Sequence, residues 1–317
     1  MPIRRREAAQ GFSGDLHEPL SLLSHALRRK GEAVPTDWVE ATEESLRSGS
    51  MRAMLTTVDG RVAGLLINTI RGTRCFSHLF LSTAGLPEED ARSLLDGLFQ
   101  EPPPGTRRID LTLSAVSGEA EERLRHAIPT WGYPLHTYER ERMTLRLDSN
   151  APPDQPPLPS GYRFCRVVKF PVGIIASVDF RAFEASPDRG LVADTLSEDE
   201  RILNELMRGS LGVFVADGSP GVVSEEGGGE DLMGFILSLE LTPGRALIAD
   251  VAVAPEVRRK GIGYALLHRA LRGLLARGVH EATLWVTTAN VGARALYERC
   301  GFITTQREPI YIWEAPP

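Results

Sequence analysis

The chain has 317 residues, 42% of them hydrophobic and 25% charged, with a formal net charge of −6. That length suits two domains of about 150 residues each, and the acidic balance argues against a dedicated nucleic-acid binder. The three cysteines, Cys75, Cys165 and Cys300, show no C-x-x-C spacing, so neither a disulfide framework nor a zinc site is supported and no metal is expected.

The start is basic at Arg4, Arg5 and Arg6, but no apolar stretch of signal-peptide length follows. Nothing approaches the ~20 apolar residues of a membrane span. A cytoplasmic protein with free thiols is expected, without a membrane or nucleic-acid partner.

In chain order, strands are predicted at 54–58, 61–67 and 75–81, then a helix at 88–99 and a strand at 108–114. A helix at 119–128 and a terminal strand near Met143 complete the first half. Residues 150–160 hold five prolines in eleven, which makes an extended, semi-rigid linker between domains at 1–149 and 161–317. A helix from Pro171 to Ala185 opens the second half, followed by strands at 212–216, 233–239 and 246–253. The Gly/Glu/Ser stretch from Asp217 to Asp231 reads as a long hairpin loop. A long helix over 263–277, a strand at 281–288, a short helix through Tyr297 closed by Gly301, and a strand at 310–313 follow. The two halves share this order, and Gly64 within 62–67 mirrors Gly234 within 232–237, so an internal duplication is inferred.

The densest signal lies between Leu247 and Leu267. An apolar strand stops at Pro255, a basic triplet (Arg258, Arg259, Lys260) follows, then Gly261 and Gly263 open an apolar-periodic helix. Free backbone N–H groups at a helix start, flanked by cations, make an anion site suited to a pyrophosphate. A basic triplet alone would read as a solvated loop. Tyr264 after the last glycine excludes a Walker loop, and Leu266 in the third glycine slot excludes a Rossmann turn.

Arg258-x-x-Gly261-x-Gly263 after a Val-x-Val-x-Pro strand resembles motif A of the GNAT superfamily of N-acetyltransferases. Asn290-x-x-Ala293-x-x-x-Tyr297-x-x-x-Gly301-Phe302 resembles motif B of the same family. The resemblance covers 158–314. It implies an α/β fold of two tandem GNAT-like domains, each a mixed, mostly antiparallel sheet splayed in the middle with helices on both faces. It further implies transfer of an acetyl or short acyl group from coenzyme A to a primary amine by direct attack in a ternary complex. A non-catalytic acyl-CoA-binding sensor or scaffold is the alternative. Acetyl-CoA would be held by Arg258, Arg259, Lys260, Gly261, Ile262, Gly263 and Tyr264, with its pantetheine arm along the backbone of Val251, Ala252 and Val253. Tyr297 would be the general acid, though its place on the inward helix face also suits a core residue. Asn290 would cap its helix and touch the cofactor arm, and the cap alone would explain it. Asp250 would be the general base, with Glu240 in reserve, and either reads equally as a strand-end carboxylate. Glu184, Asp188 and Asp194 would form an acidic rim for an ammonium group. The acceptor is a small-molecule or peptide amine, and the assembly a monomer with an internal pseudo-dimer or a homodimer.

The first half lacks these features. Residues 82–92 hold one glycine and no basic triplet, with Glu88, Glu89 and Asp90 in the first helical turn. Acids there favour the helix dipole and repel a pyrophosphate. If Gly132-Tyr133 mirrors Gly301-Phe302, Ile128 stands where Tyr297 does. A degenerate domain that completes a surface is expected. The mycothiol synthases resemble this chain in length and layout, but their first half keeps a cofactor loop, and the departure argues against that activity.

Overall fold

The computed structural model describes residues 4–10, 12–32, 34–82, 88–148, 154–209, 211–225 and 231–315. Two compact units emerge: Met1–Tyr138 with Pro309–Pro317, and Glu139–Glu308.

The first unit contains β1 (Arg4–Ala8), α1 (His17–Arg29), α2 (Trp38–Ser48), β2 (Arg52–Val58), β3 (Arg61–Arg71), β4 (Arg74–Leu81), α3 (Glu88–Gln100), β5 (Arg108–Ala115) and α4 (Gly118–Ala127), and it ends in the first residues of β6 (Leu135–Arg146). The sheet order is β1-β2-β3-β4-β5, antiparallel except for the β4–β5 pair. Asp59 and Gly60 make the two-residue β2–β3 turn with φ of 49° and 79°, the positive values such a hairpin demands. Alternation along β3 sends Leu65 into a core with Leu20, Leu23 and Phe80, and Leu66 into a second core with Leu79, Leu94 and Leu111. Helices therefore cover both faces.

The second unit runs β7 (Tyr162–Arg166), α5 (Val172–Phe183), α6 (Leu196–Met207), β8 (Val213–Phe214), β9 (Pro220–Ser224), β10 (Asp231–Thr242), β11 (Arg245–Val253), α7 (Ile262–Ala276), β12 (Glu281–Thr287), α8 (Val291–Arg299) and the first part of β13 (Ile303–Glu314). Its order is β6-β12-β11-β10-β9-β7, with β8 on β10. Phe235 faces a core with Ile175 and Leu203 of α5 and α6, and Ile236 faces one with Leu266, Leu267 and Leu271 of α7.

The units do not divide at the proline-rich stretch. Residues 140–146 of β6, which precede it in sequence, pair antiparallel with β12, from Arg140↔Thr287 to Arg146↔Glu281. Residues 311–314 of β13 pair with β5, and Tyr311 and Trp313 are buried in the first unit's core. Each half thus ends in a strand that serves the other unit. Prolines mark where the chain leaves a sheet and carry no information about which sheet it left.

Residues 150–153 of the expected linker and 226–230 of the expected hairpin loop lie outside the described residues. That loop is shorter than anticipated, because β9 is a fully buried strand that starts on Pro220, where a missing N–H costs nothing. Among the described residues no helix is long and apolar enough to cross a membrane, and no group of three His, Cys, Asp or Glu side chains is placed to hold a metal.

Candidate active site

The two strands that open the site pair only briefly. β11 and β12 run in parallel register over Arg245↔Glu281, Ala246↔Ala282 and Leu247↔Thr283. Beyond that, β11 stays on β10 as far as Val253↔Gly234, and β12 stays on β6 as far as Thr287↔Arg140. An extra residue in β11, Ala249, lies between the pairs Ser238↔Ile248 and Leu237↔Asp250. Such a bulge bends and twists its strand. The two strands therefore part, and Val251, Ala252 and Val253 line a free edge toward the gap. The splay expected of both sheets is confined to this unit. In the first unit, β4 and β5 stay in register to Leu81↔Ala115.

Ahead of the gap stands the loop into α7. Pro255–Val257 form a 3-10 turn, Arg258 is extended, and Arg259 and Gly261 take left-handed φ values of 60° and 86°. Gly261 is the N-cap of α7, and the first helical bond runs from Ala265 N to Gly261 O at 3.0 Å. The N–H groups of Ile262, Gly263 and Tyr264 thus have no acceptor within the helix, at the positive end of fifteen aligned peptide dipoles. The left-handed φ of 86° at Gly261 favours glycine. Gly263 is different, because an added Cβ would lie 3.4 Å from Leu296 and 3.6 Å from Val253, ordinary contact distances.

The loop's side chains divide their work. Arg258 donates through Nε to Val253 O at 3.1 Å and through Nη2 to Ala182 O, which stitches the end of β11 to the end of α5. Its head group is engaged with the fold. Arg259 is exposed. Lys260 Nζ is 3.2 Å from the Tyr162 hydroxyl. Tyr264 lies between His268, at 4.3 Å between ring centroids, and the Arg299 guanidinium, 4.3 Å above its ring.

The acid and base positions converge. Tyr297 is 7% exposed, and burial pushes its phenol up, with Asp188 and Asp250 adding to the effect. Asp250 is pushed up to about 7, mainly by desolvation and then by the Asp199 charge, against hydrogen bonds from Asp179 and the Val251 N–H. Asp179, inward on α5, is raised well above the usual carboxylate range by burial and by the neighbouring Asp250 and Asp199. Asp199, inward on α6, is pushed up to about 6 by burial, with Glu198 adding and Asp179 and Arg189 opposing. Asp179 Oδ1 and Asp199 Oδ2 are buried without a hydrogen-bond partner. Three carboxylates from α5, α6 and β11 cannot all ionise at such proximity, so they share protons.

Sequence reading had not singled out Asp179 or Asp199. A signal existed: Asp179 stands four residues after Ile175 and three before Ala182, on the apolar stripe of its helix. Glu240, the reserve base, is absorbed elsewhere. It accepts from Gly244 N and Arg277 Nε, each at 3.1 Å, which holds its carboxyl below the usual range at the β10–β11 turn. Asn290 caps α8 through Oδ1, accepting from Ala293 N at 3.1 Å, and its Nδ2 donates to Asp188. Asp188 also accepts from Thr287 N at 3.2 Å, so it braces α8 and is no free rim charge. Glu184 is exposed.

The model of the Acetyltransferase (GNAT) family matches residues 186–302. Over 59 residues the chain is 46% identical to the [ribosomal protein bS18]-alanine N-acetyltransferase of Escherichia coli K12, a match covering 18% of this chain and 38% of that enzyme. The curated relatives are thus matched over well under two thirds of their own length; for a chloroplastic GCN5-related N-acetyltransferase of Arabidopsis thaliana the share is 25%. Whole-chain likeness comes from solved structures. A GCN5-related N-acetyltransferase from Sphaerobacter thermophilus aligns over 100% of this chain and 96% of its own, with a TM-score of 0.62 and 20% identity. A tandem GNAT protein from the clavulanic acid biosynthesis pathway aligns over 100% and 99%, with a TM-score of 0.61 and 17% identity. At those identities the likeness establishes a tandem GNAT fold and no more.

Proposed function

We propose, from the match of residues 186–302 to the GNAT acetyltransferase family, that this chain transfers an acetyl or short acyl group from coenzyme A to a primary amine by direct attack. The observation that carries the reading is the parting of β11 and β12 directly ahead of the uncapped start of α7. The free edge at Val251–Val253 suits a strand-like pantetheine arm, and the loop from Arg259 to Tyr264 suits the pyrophosphate, with Arg258 holding that loop in place. A backbone N–H on that edge would meet the developing oxyanion, and one such donor is typically worth ~3 kcal/mol.

Asp250 takes the proton of the incoming ammonium group, and the second nitrogen proton, shed as the tetrahedral intermediate collapses, goes to the departing thiolate. Its elevated pKa, about 7, is matched to that task near neutral pH. Tyr297 faces the departing sulfur. A thiol ordinarily titrates near ~8.5, below this phenol, so Tyr297 donates a hydrogen bond and does not surrender its proton outright. Protonation of Asp250 removes one of the charges that hold the phenol up, so loading the base strengthens the hydrogen bond that Tyr297 offers.

We assign one site per chain. In the first unit the β4–β5 pair stays closed, and carbonyls at the end of β5 are occupied by α1: Arg29 bonds those of Val116 and Ala115, and Lys30 that of Leu113. Glu88, Glu89 and Asp90 start α3, where the second unit has Ile262 and Gly263. Residues 83–87 of the missing loop lie outside the described residues.

The test begins with calorimetric titration of acetyl-CoA, for which one site per chain is expected. Thiol release is then followed with spermidine, kanamycin, glucosamine and an alanine-terminated peptide, the last chosen because the Escherichia coli relative acts on a protein alanine. Binding without thiol release from any amine would favour the non-catalytic acyl-CoA-binding reading. No binding would sink both.

A further inference from the structure

α8 is only nine residues long, and Tyr297 is its one buried side chain. A helix of that length does not sustain itself in water, and Ala293 and Leu296 are only partly covered. One buried ring gives little resistance to rotation about the helix axis. Polar ties supply it. Asn290 and Asp188 hold the start of the helix. In the turn before Tyr297, Arg294 Nε donates to Glu141 Oε2 at 2.9 Å, and Arg294 Nη1 lies 3.5 Å from Thr288 O at the end of β12.

Glu141 is an unusual anchor. It has no exposed surface, yet its carboxylate is fully engaged. Thr304 Oγ1 donates to Oε2 at 3.1 Å, and Arg307 Nε donates to Oε1 at 2.8 Å. Charge-assisted bonds of this kind are strong and directional, and a buried carboxylate keeps its charge only where such donors surround it. The other acid near Arg294 is Glu298, exposed and 3.8 Å away, a surface ion pair of small consequence. Glu141 lies on β6, in the part of the sequence that precedes the proline-rich stretch and supplies none of the other groups of the site.

We propose that Glu141 is a positioning residue for acyl transfer: acting through Arg294, it sets where the Tyr297 phenol stands. The inference rests on the role given to Tyr297 above. It assigns to the first half of the sequence a part in the chemistry of the second, by way of the strand that crosses between units.

The test places 3-fluorotyrosine at position 297 of the full chain and follows its fluorine resonance, which needs no amine acceptor. Glu141→Gln and Arg294→Gln are each expected to shift or broaden the resonance, and the double variant to go no further than either single one. Arg307→Gln removes another donor from the same carboxylate without touching α8, and should leave the resonance in place. In transfer assays Glu141→Gln should lower kcat about tenfold with KM for acetyl-CoA within about twofold, the split expected of misplacement. An unmoved resonance in Glu141→Gln overturns the proposal, as does an equal shift in Arg307→Gln, which would signal general loosening. Should Glu141→Gln fail to fold, Arg294→Gln, which removes the same bond from a partly exposed side chain, decides the question alone. Full turnover in Tyr297→Phe would instead sink the role of Tyr297 itself, so the two failures are told apart.

Discussion

Asp179, on α5, and Asp250, on β11, are electrostatically coupled, and the coupling extends to Asp199 on α6. Tyr297 feels both Asp250 and Asp188, and Arg189 and Glu198 act on Asp199.

The first prediction concerns rate against pH. Only the ionised form of Asp250 accepts a proton, so kcat/KM should rise as pH increases through about 7. Asp199→Asn removes a charge that raises Asp250 and should move this limb to lower pH. Asp250→Asn should lower turnover about a hundredfold or more at neutral pH. A profile unchanged in Asp199→Asn would show that the two groups are not coupled.

Stability should run the other way. Acids whose pKa is raised by folding hold protons that the unfolded chain releases, so the native state binds more protons between about pH 4 and 7. That contribution is fully present below the unfolded carboxylate range near ~4, and is lost progressively as pH rises to about 6 for Asp199 and about 7 for Asp250. The cluster therefore costs stability at pH 8. Asp179→Asn should raise the thermal midpoint there by roughly 2–4 °C while impairing transfer, a trade of activity for stability. Calorimetric melts at pH 5 and 8 read both effects.

The two loop glycines should separate packing from ligand binding. Gly261→Ala places a Cβ on a residue with φ of 86° and should cost about 1–2 kcal/mol of stability. Gly263→Ala meets only ordinary contacts at 3.4 Å and 3.6 Å, so the melting temperature should hold. If the loop cradles a pyrophosphate, Gly263→Ala should nonetheless weaken acetyl-CoA binding about tenfold, since the backbone must be approached closely there. Unchanged affinity would move the pyrophosphate elsewhere.

Arg258 offers a further contrast. Its bonds to Val253 O and Ala182 O tie the loop to β11 and α5. Arg258→Ala should therefore lower stability by about 1–3 kcal/mol as well as affinity for acetyl-CoA. Arg259→Ala, which removes an exposed side chain, should lower affinity alone. Parallel melts and titrations of the two variants would distinguish a positioning arginine from a contacting one.

In the first unit, Asp110 is buried between Arg74 and Arg108, which pair with it from β4 and β5. Asp110→Asn leaves two buried guanidinium groups short of a counter-charge and should cost about 3–5 kcal/mol. Denaturant titration followed by tryptophan fluorescence would report it.

What the sequence by itself determined is what local chemistry determines. The start of α7 was legible because Gly261 needs only its own left-handed φ, and the cap of α8 because Asn290 needs only the N–H of Ala293. The strand ending ahead of Pro255, and the apolar stripe that buries Tyr297, follow from the same short range of residues. What only the tertiary structure decided are relationships between residues far apart in the chain. Asp179, Asp199 and Asp250 belong to three separate elements, and no spacing brings them together. Arg258 carried a charge in the right place, but the carbonyls it spends that charge on lie on two elements. Strand pairing has the same character. Hydrogen bonding along β6 and β13 is the same whichever neighbour a strand finds, so nothing in Arg140–Arg146 announces β12 and nothing in Tyr311–Glu314 announces β5. The partner is chosen by the packing of whole faces. That choice brings Glu141 beside Arg294 and the site helix of the other half.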